Sequence, residues 1–135
     1  LNLYPEGRVD YCTAGHPPLL HISASQTQAL STDGMLPGLI EQPGYRSASV
    51  TLNPGERLAV FSDGLMENSK TAEGRSELEN MVVSAMESAL EVALDDAPGL
   101  TMSRFDEFSS TPVSDDATLL FLEPSTCTNS EHADA

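Results

Sequence analysis

Residues 57–62 read Arg-Leu-Ala-Val-Phe-Ser, and they constrain this chain more than any other stretch. Their middle is apolar with no polar alternation. A half-exposed strand alternates with a period of two, whereas one covered on both faces need not. The segment therefore predicts a central strand with other parts of the chain packed above and below it. It is launched by Asn53-Pro54-Gly55-Glu56, a turn with proline at a favoured position. It ends in Ser62-Asp63-Gly64, where a carboxylate stands at the mouth of the strand.

The flanking pattern is mostly extended. Residues 8–13 predict one strand and 19–22 another. Between them Ala14-Gly15-His16-Pro17-Pro18 forces a turn, because consecutive prolines cannot sit in a ladder. Residues 8–22 thus read as a hairpin-like unit with an unusual corner. Gln26 to Leu30 predicts a third short strand, and Asp33 to Gly38 a loop. From Tyr45 to Leu52, Ala48, Val50 and Leu52 alternate with Ser47, Ser49 and Thr51, which predicts a half-buried strand.

Helices come later. Ser76-Glu77-Leu78-Glu79 has the form of a capping box. Leu78, Val82, Ala85, Ala89 and Val92 then recur at helical spacing, predicting an amphipathic helix of about 18 residues. Asp95 to Gly99 is expected to end it. Met102, Phe105 and Phe108 suggest a shorter second helix, and Ala117 to Leu122 a closing strand. Strands do not alternate regularly with helices, which argues for an α+β fold over a doubly wound nucleotide-binding sheet.

Composition narrows the functional classes. The 135 residues suit one domain. With 21 acidic and 6 basic residues the formal net charge is -15. Nucleic acid and anionic membrane surfaces are excluded as expected partners, since both call for clustered Lys and Arg. No apolar run approaches the roughly 18 residues needed to span a bilayer. The two cysteines, Cys12 in a strand pattern and Cys127 in a polar segment, form no disulfide framework and suit a reducing, cytoplasmic setting. Leu1 opens in mid-pattern, as if the chain belonged to something longer. From residue 124 to 135 the composition is polar and acidic, predicting a disordered tail.

Three stretches carry candidate chemistry. Asp63-Gly64 is either a turn or helix cap, or a carboxylate held for a ligand with glycine leaving room beside it. Ser114-Asp115-Asp116-Ala117-Thr118 sets two adjacent carboxylates before an apolar strand. Solvent at a loop tip accommodates such a pair, and so does a hard divalent cation. If the two strands are neighbours, both acidic ends fall on one edge. His16 in Thr13-Ala14-Gly15-His16-Pro17-Pro18 either caps its own corner or reaches a phosphate or metal-bound water. Phosphate-binding glycine loops, a nucleophile elbow and a zinc ligand set are absent from the sequence.

TAGHPPLL at 13–20, GMLPGL at 34–39, LNPGERLAVFSDGLMEN at 52–68 and SDDATLLFL at 114–122, in this order, resemble the SpoIIE/RsbU-like branch of the PPM metal-dependent Ser/Thr protein phosphatases. The resemblance covers about residues 8–123. It implies an antiparallel β-sandwich flanked by helices, of which this chain, residues 1–123, is the C-terminal portion. It implies that Asp63 and Asp115 are metal ligands, with Asp116 at the neighbouring position and Gly64 and His16 beside the site. No catalytic side chain is expected beyond the metal ligands. Two Mn²⁺ or Mg²⁺ ions would share a water that attacks the phosphorus of phosphoserine or phosphothreonine. The implied substrate is a phosphorylated regulatory protein of the anti-anti-sigma type, and an upstream receiver or sensor domain would govern the activity. Residues 65–75 would be a mobile segment near the site.

The sequence also departs from that pattern. Thr13 stands where the branch has asparagine. The Asp-x-x-Gly-His-Gly motif, whose acid bridges both ions in the family, does not occur in these 135 residues. This chain by itself is therefore expected to have little or no activity. A second reading is a non-catalytic phosphatase-like module that binds a regulatory partner.

Overall fold

A computed structural model describes residues 1–41, 44–66, 72–108 and 116–125. Among the described residues, seven strands form two antiparallel sheets. The smaller has the order β1-β2-β5, from β1 (Asn2–Leu3), β2 (Arg8–Tyr11) and β5 (Ala48–Thr51). The larger has the order β4-β3-β6-β7, from β3 (Leu19–Ile22), β4 (Thr27–Leu30), β6 (Arg57–Phe61) and β7 (Leu119–Leu122). Two helices, α1 (Ala72–Glu87) and α2 (Ala97–Phe108), cover the outer face of the larger sheet.

Strand β6 is the centre of this arrangement, as its unbroken apolar run requires. Leu58 and Val60 face the smaller sheet and pack with Val9, Tyr11, Leu19, Leu30 and Leu52. Ala59 and Phe61 face the helices and pack with Leu78, Val82, Met86 and Phe105. Period-two alternation thus sends successive residues into two different cores. Strand β5 lies in the outer sheet with one face covered, and its burial alternates as its sequence does. The α+β sandwich read from the sequence is the fold observed.

Several local expectations are corrected. Residues 8–22 are not a hairpin-like unit: β2 and β3 belong to different sheets. Pro17 and Pro18 cannot continue a ladder, and the corner carries the chain from one layer to the other, with Val9 and Leu19 meeting in the inter-sheet core. Strand β1 was not foreseen; it pairs Asn2 with Asp10. Strand β2 stops at Tyr11, leaving Cys12 exposed. Helix α1 begins at Ala72, so Ser76 lies inside it and is not its cap. Residues 97–99 begin α2 and do not merely end α1; Pro98 is tolerated in a first turn, where its missing N–H has no intrahelical partner to lose. The expected tail, from residue 126 on, and residues 67–71 of the expected mobile segment lie outside the described residues. Among the described residues, no helix is long and apolar enough to cross a membrane.

Arg57 holds the helical layer to the sheet. Its side chain is buried, donating from Nε to Glu123 at 2.7 Å, from Nη1 to the Ala89 carbonyl and from Nη2 to the Val92 carbonyl at 2.9 Å. Sequence reasoning passed over it. The available signal was a single cation opening an otherwise apolar central strand, which needs buried acceptors.

Candidate functional site

The two acidic motifs meet. Strand β6 runs antiparallel to β7, with Phe61 opposite Leu119. The end of β6 and the start of β7 therefore share one edge of the sheet. Asp63 leaves that edge as the first residue of a single 3₁₀ turn, Asp63–Leu65, and is exposed. The helix-cap alternative does not hold. Ser62 occupies the cap position, and no side chain makes a capping bond there. The turn is closed by backbone, with the Met66 N–H donating to the Asp63 carbonyl at 2.6 Å.

Gly64 explains how closely the two segments approach. It is buried, and a Cβ placed on it would lie 2.3 Å from the Asp116 carbonyl oxygen and 2.9 Å from its carbon. Its φ is not positive, so glycine is required here by space rather than by backbone conformation. Ser62 completes the junction. Its N–H donates to the Thr118 carbonyl at 3.0 Å. Its Oγ accepts from the Thr118 N–H at 2.9 Å and donates to the Asp116 carbonyl at 3.3 Å. Asp116 is exposed beside Asp63 on this edge. Sequence reasoning missed Ser62. The signal available was a hydroxyl residue bordering each acidic motif, Ser62 before Asp63 and Thr118 after Asp116.

His16 makes a bond within its own corner. It is exposed, and its Nδ1–H donates to the Pro17 carbonyl at 2.7 Å, so the ring caps its own corner. The corner nevertheless lies at the Asp63 end of the sandwich. Leu20 pairs with Ala59, which brings the start of β3 alongside the end of β6, and Pro18 lines a hollow with Phe61 and Met66. Asp115 lies outside the described residues.

The donors fit a hard cation in kind. Carboxylate and carbonyl oxygens suit Mg²⁺ or Mn²⁺. In number they make up part of a shell: among the described residues, no group of three His, Cys, Asp or Glu is placed to hold a metal. The room kept open by Gly64 lets the two acidic segments sit in contact.

The family model described as stage II sporulation protein E (SpoIIE) matches residues 4–125. Phosphoserine phosphatase RsbP of Bacillus subtilis (strain 168) is 38% identical over 61 residues, which are 44% of this chain and 15% of RsbP. The solved RsbU and RsbW domains of a Mycobacterium tuberculosis protein superpose with a TM-score of 0.69 at 24% identity, covering 87% of this chain and 33% of that one. The phosphatase domain of SpoIIE from Bacillus subtilis, presoaked with Mn, superposes with a TM-score of 0.60 at 17% identity, covering 91% of this chain and 53% of that domain. The chain thus spans about half of that solved phosphatase domain and a small fraction of RsbP.

Proposed function

Because the chain belongs to the SpoIIE family, we propose that it supplies one part of a metal-dependent active site that hydrolyses phosphoserine or phosphothreonine on a regulatory protein. The observation that carries this reading is the meeting of Asp63 and Asp116 on one sheet edge, with Gly64 packed against the Asp116 backbone. Asp63 and Asp115 hold the cations, Asp116 stands next to them, and Gly64 keeps the approach open. Residues 1–123 form the phosphatase portion and 124–135 a tail.

Two Mn²⁺ or Mg²⁺ ions, when bound, would supply a water of lowered pKa and neutralise phosphoryl charge. The chain's own contribution is positional. Strand β6 fixes Asp63 at a rigid edge, and β7 brings the second acidic segment beside it. The further donors that a divalent cation requires come from outside the described residues. The substrate would be a phosphorylated anti-anti-sigma-like protein, with a receiver or sensor domain governing access, in the cytoplasm.

The test is hydrolysis of p-nitrophenyl phosphate and of a phosphoserine protein by the complete domain with Mn²⁺. Asp63→Asn should lower turnover by about two orders of magnitude or more, the worth of a few kcal/mol of metal-based stabilisation. The same assay on this chain alone should give little or no turnover. Asp63-dependent turnover by the chain alone would refute the claim that it holds only part of the site. A complete domain that binds its partner without Mn²⁺, and does not hydrolyse it, would favour the non-catalytic module.

A further inference from the structure

Ser62 has a role that neither acidic motif explains. Its backbone and side chain make three hydrogen bonds to the segment opening β7: N–H to the Thr118 carbonyl, Thr118 N–H to Oγ, and Oγ–H to the Asp116 carbonyl. The first continues the ladder past Phe61–Leu119 and any residue other than proline could make it. The other two depend on the hydroxyl. They fasten Asp116, which is exposed and beyond the last ladder pair, to the residue immediately before Asp63. On the Gly64 side of the same junction there is no Cβ, and Gly64 packs directly on the Asp116 backbone. The hydroxyl thus links the β6 end to the second acidic segment through a side chain. It acts on the two main-chain groups, Asp116 C=O and Thr118 N–H, that set the course of the second acidic segment.

We infer that Ser62 is a positioning residue for the metal site, its hydroxyl locking the Asp116 segment in register with Asp63 so that the acids of the two strands face a common cation. The inference rests on the metal-site reading above. Ser62 does not itself need to touch the cation. It acts as groups behind a ligand do, by restricting where the ligand-bearing segment can go. Threonine should serve as well: Ser62 is extended (φ −80°, ψ 160°) and only half-buried, so an added methyl is tolerated and the hydroxyl is kept.

The test is Mn²⁺ binding to the complete domain, followed by calorimetry, for the parent, Ser62→Ala, Ser62→Thr and Glu56→Ala. Glu56 anchors the turn at the opposite end of β6, so its variant controls for general loosening of the strand. Ser62→Ala should weaken Mn²⁺ binding by about 10–100-fold, while Ser62→Thr and Glu56→Ala stay near the parent. Parent-like binding by Ser62→Ala, or equal weakening in Glu56→Ala, overturns the positioning role. A second readout needs no variant. In the parent, added Mn²⁺ should slow exchange of the Thr118 amide hydrogen, because a cation shared by both segments tightens the bond to Ser62 Oγ. Unchanged exchange in a domain that binds Mn²⁺ overturns the inference. A parent domain that takes up no Mn²⁺ sinks the metal reading, and this inference with it.

Discussion

Replacing Gly64 with alanine tests the junction at its tightest point. The new Cβ would sit 2.3 Å from the Asp116 carbonyl oxygen. Ordinary carbon–oxygen contacts lie at about 3.3–3.6 Å, so the Asp116 backbone must retreat by about 1 Å. That carbonyl accepts from the Ser62 hydroxyl, whose oxygen in turn accepts from the Thr118 N–H, so retreat strains both bonds. Overpacking against backbone costs about 1–3 kcal/mol, and weakening the two hydrogen bonds adds about 1 kcal/mol. The expected loss is about 2–4 kcal/mol. Gly99 is the matched control. It lies in the first turn of α2, and a Cβ added there would meet nothing within 4 Å, so Gly99→Ala should gain about 0.5–1 kcal/mol from helix propensity alone. Urea denaturation followed by circular dichroism reads both. One substitution, made at two glycines, should move the midpoint in opposite directions. Gly64→Ala with the parent's midpoint would refute the claimed contact, and the site would then have no steric reason for glycine.

Three further outcomes follow from other parts of the fold. Arg57→Ala strands Glu123 and the Ala89 and Val92 carbonyls. It should cost about 2–4 kcal/mol, discounted because Glu123 is one-third exposed. Arg57→Lys should recover only part of this in a thermal melt, since an ammonium cannot reproduce the guanidinium fork, and full recovery would contradict the bonding described. Thr101→Val should be neutral or stabilising by up to about 1 kcal/mol, because the buried Thr101 hydroxyl has no hydrogen-bond partner among the described residues; clear destabilisation would mean that the hydroxyl is satisfied. Glu56 is held below the ordinary glutamate range chiefly by the Asn53 backbone N–H, with His21 and the Asn53 side chain assisting. A depressed carboxylate stabilises the fold above its ordinary value, 4.5, and loses that contribution as the pH falls through its folded value. Glu56→Gln should therefore be less stable than the parent at neutral pH, with the gap closing below about pH 4.5; a gap that widens in acid would reverse the sign of the argument.

Much of this protein was legible in the residue order because the signals are local. An apolar run without alternation predicts burial on both faces, and β6 is buried between two cores. Alternation from Tyr45 to Leu52 predicts one covered face, and β5 has one. The recurrence of Leu78, Val82, Ala85 and Ala89 matches the buried face of α1 and the turn after it. Even the two acidic motifs could be singled out, since a carboxylate at the mouth of an apolar strand is visible without knowing its neighbours.

Tertiary structure decided which of these pieces meet. Nothing in residues 8–22 says that two adjacent strands enter different sheets; that depends on the inter-sheet core accepting Val9 from one side and Leu19 from the other. The start of α1 could not be placed from Ser76, because a capping pattern competes with whatever tertiary packing extends the helix. Arg57 reads as an odd cation until the carbonyls at the end of the helical layer close over it. The same holds for the site. Asp63 alone is a turn or a ligand with equal ease. Pairing of β6 with β7, 54 residues apart between Ser62 and Asp116, turns Asp-Gly into one side of a junction whose spacing is set by an absent Cβ and a serine hydroxyl. Local patterns carry the burial demands of each segment, whereas contacts between distant segments follow only when all those demands are met at once.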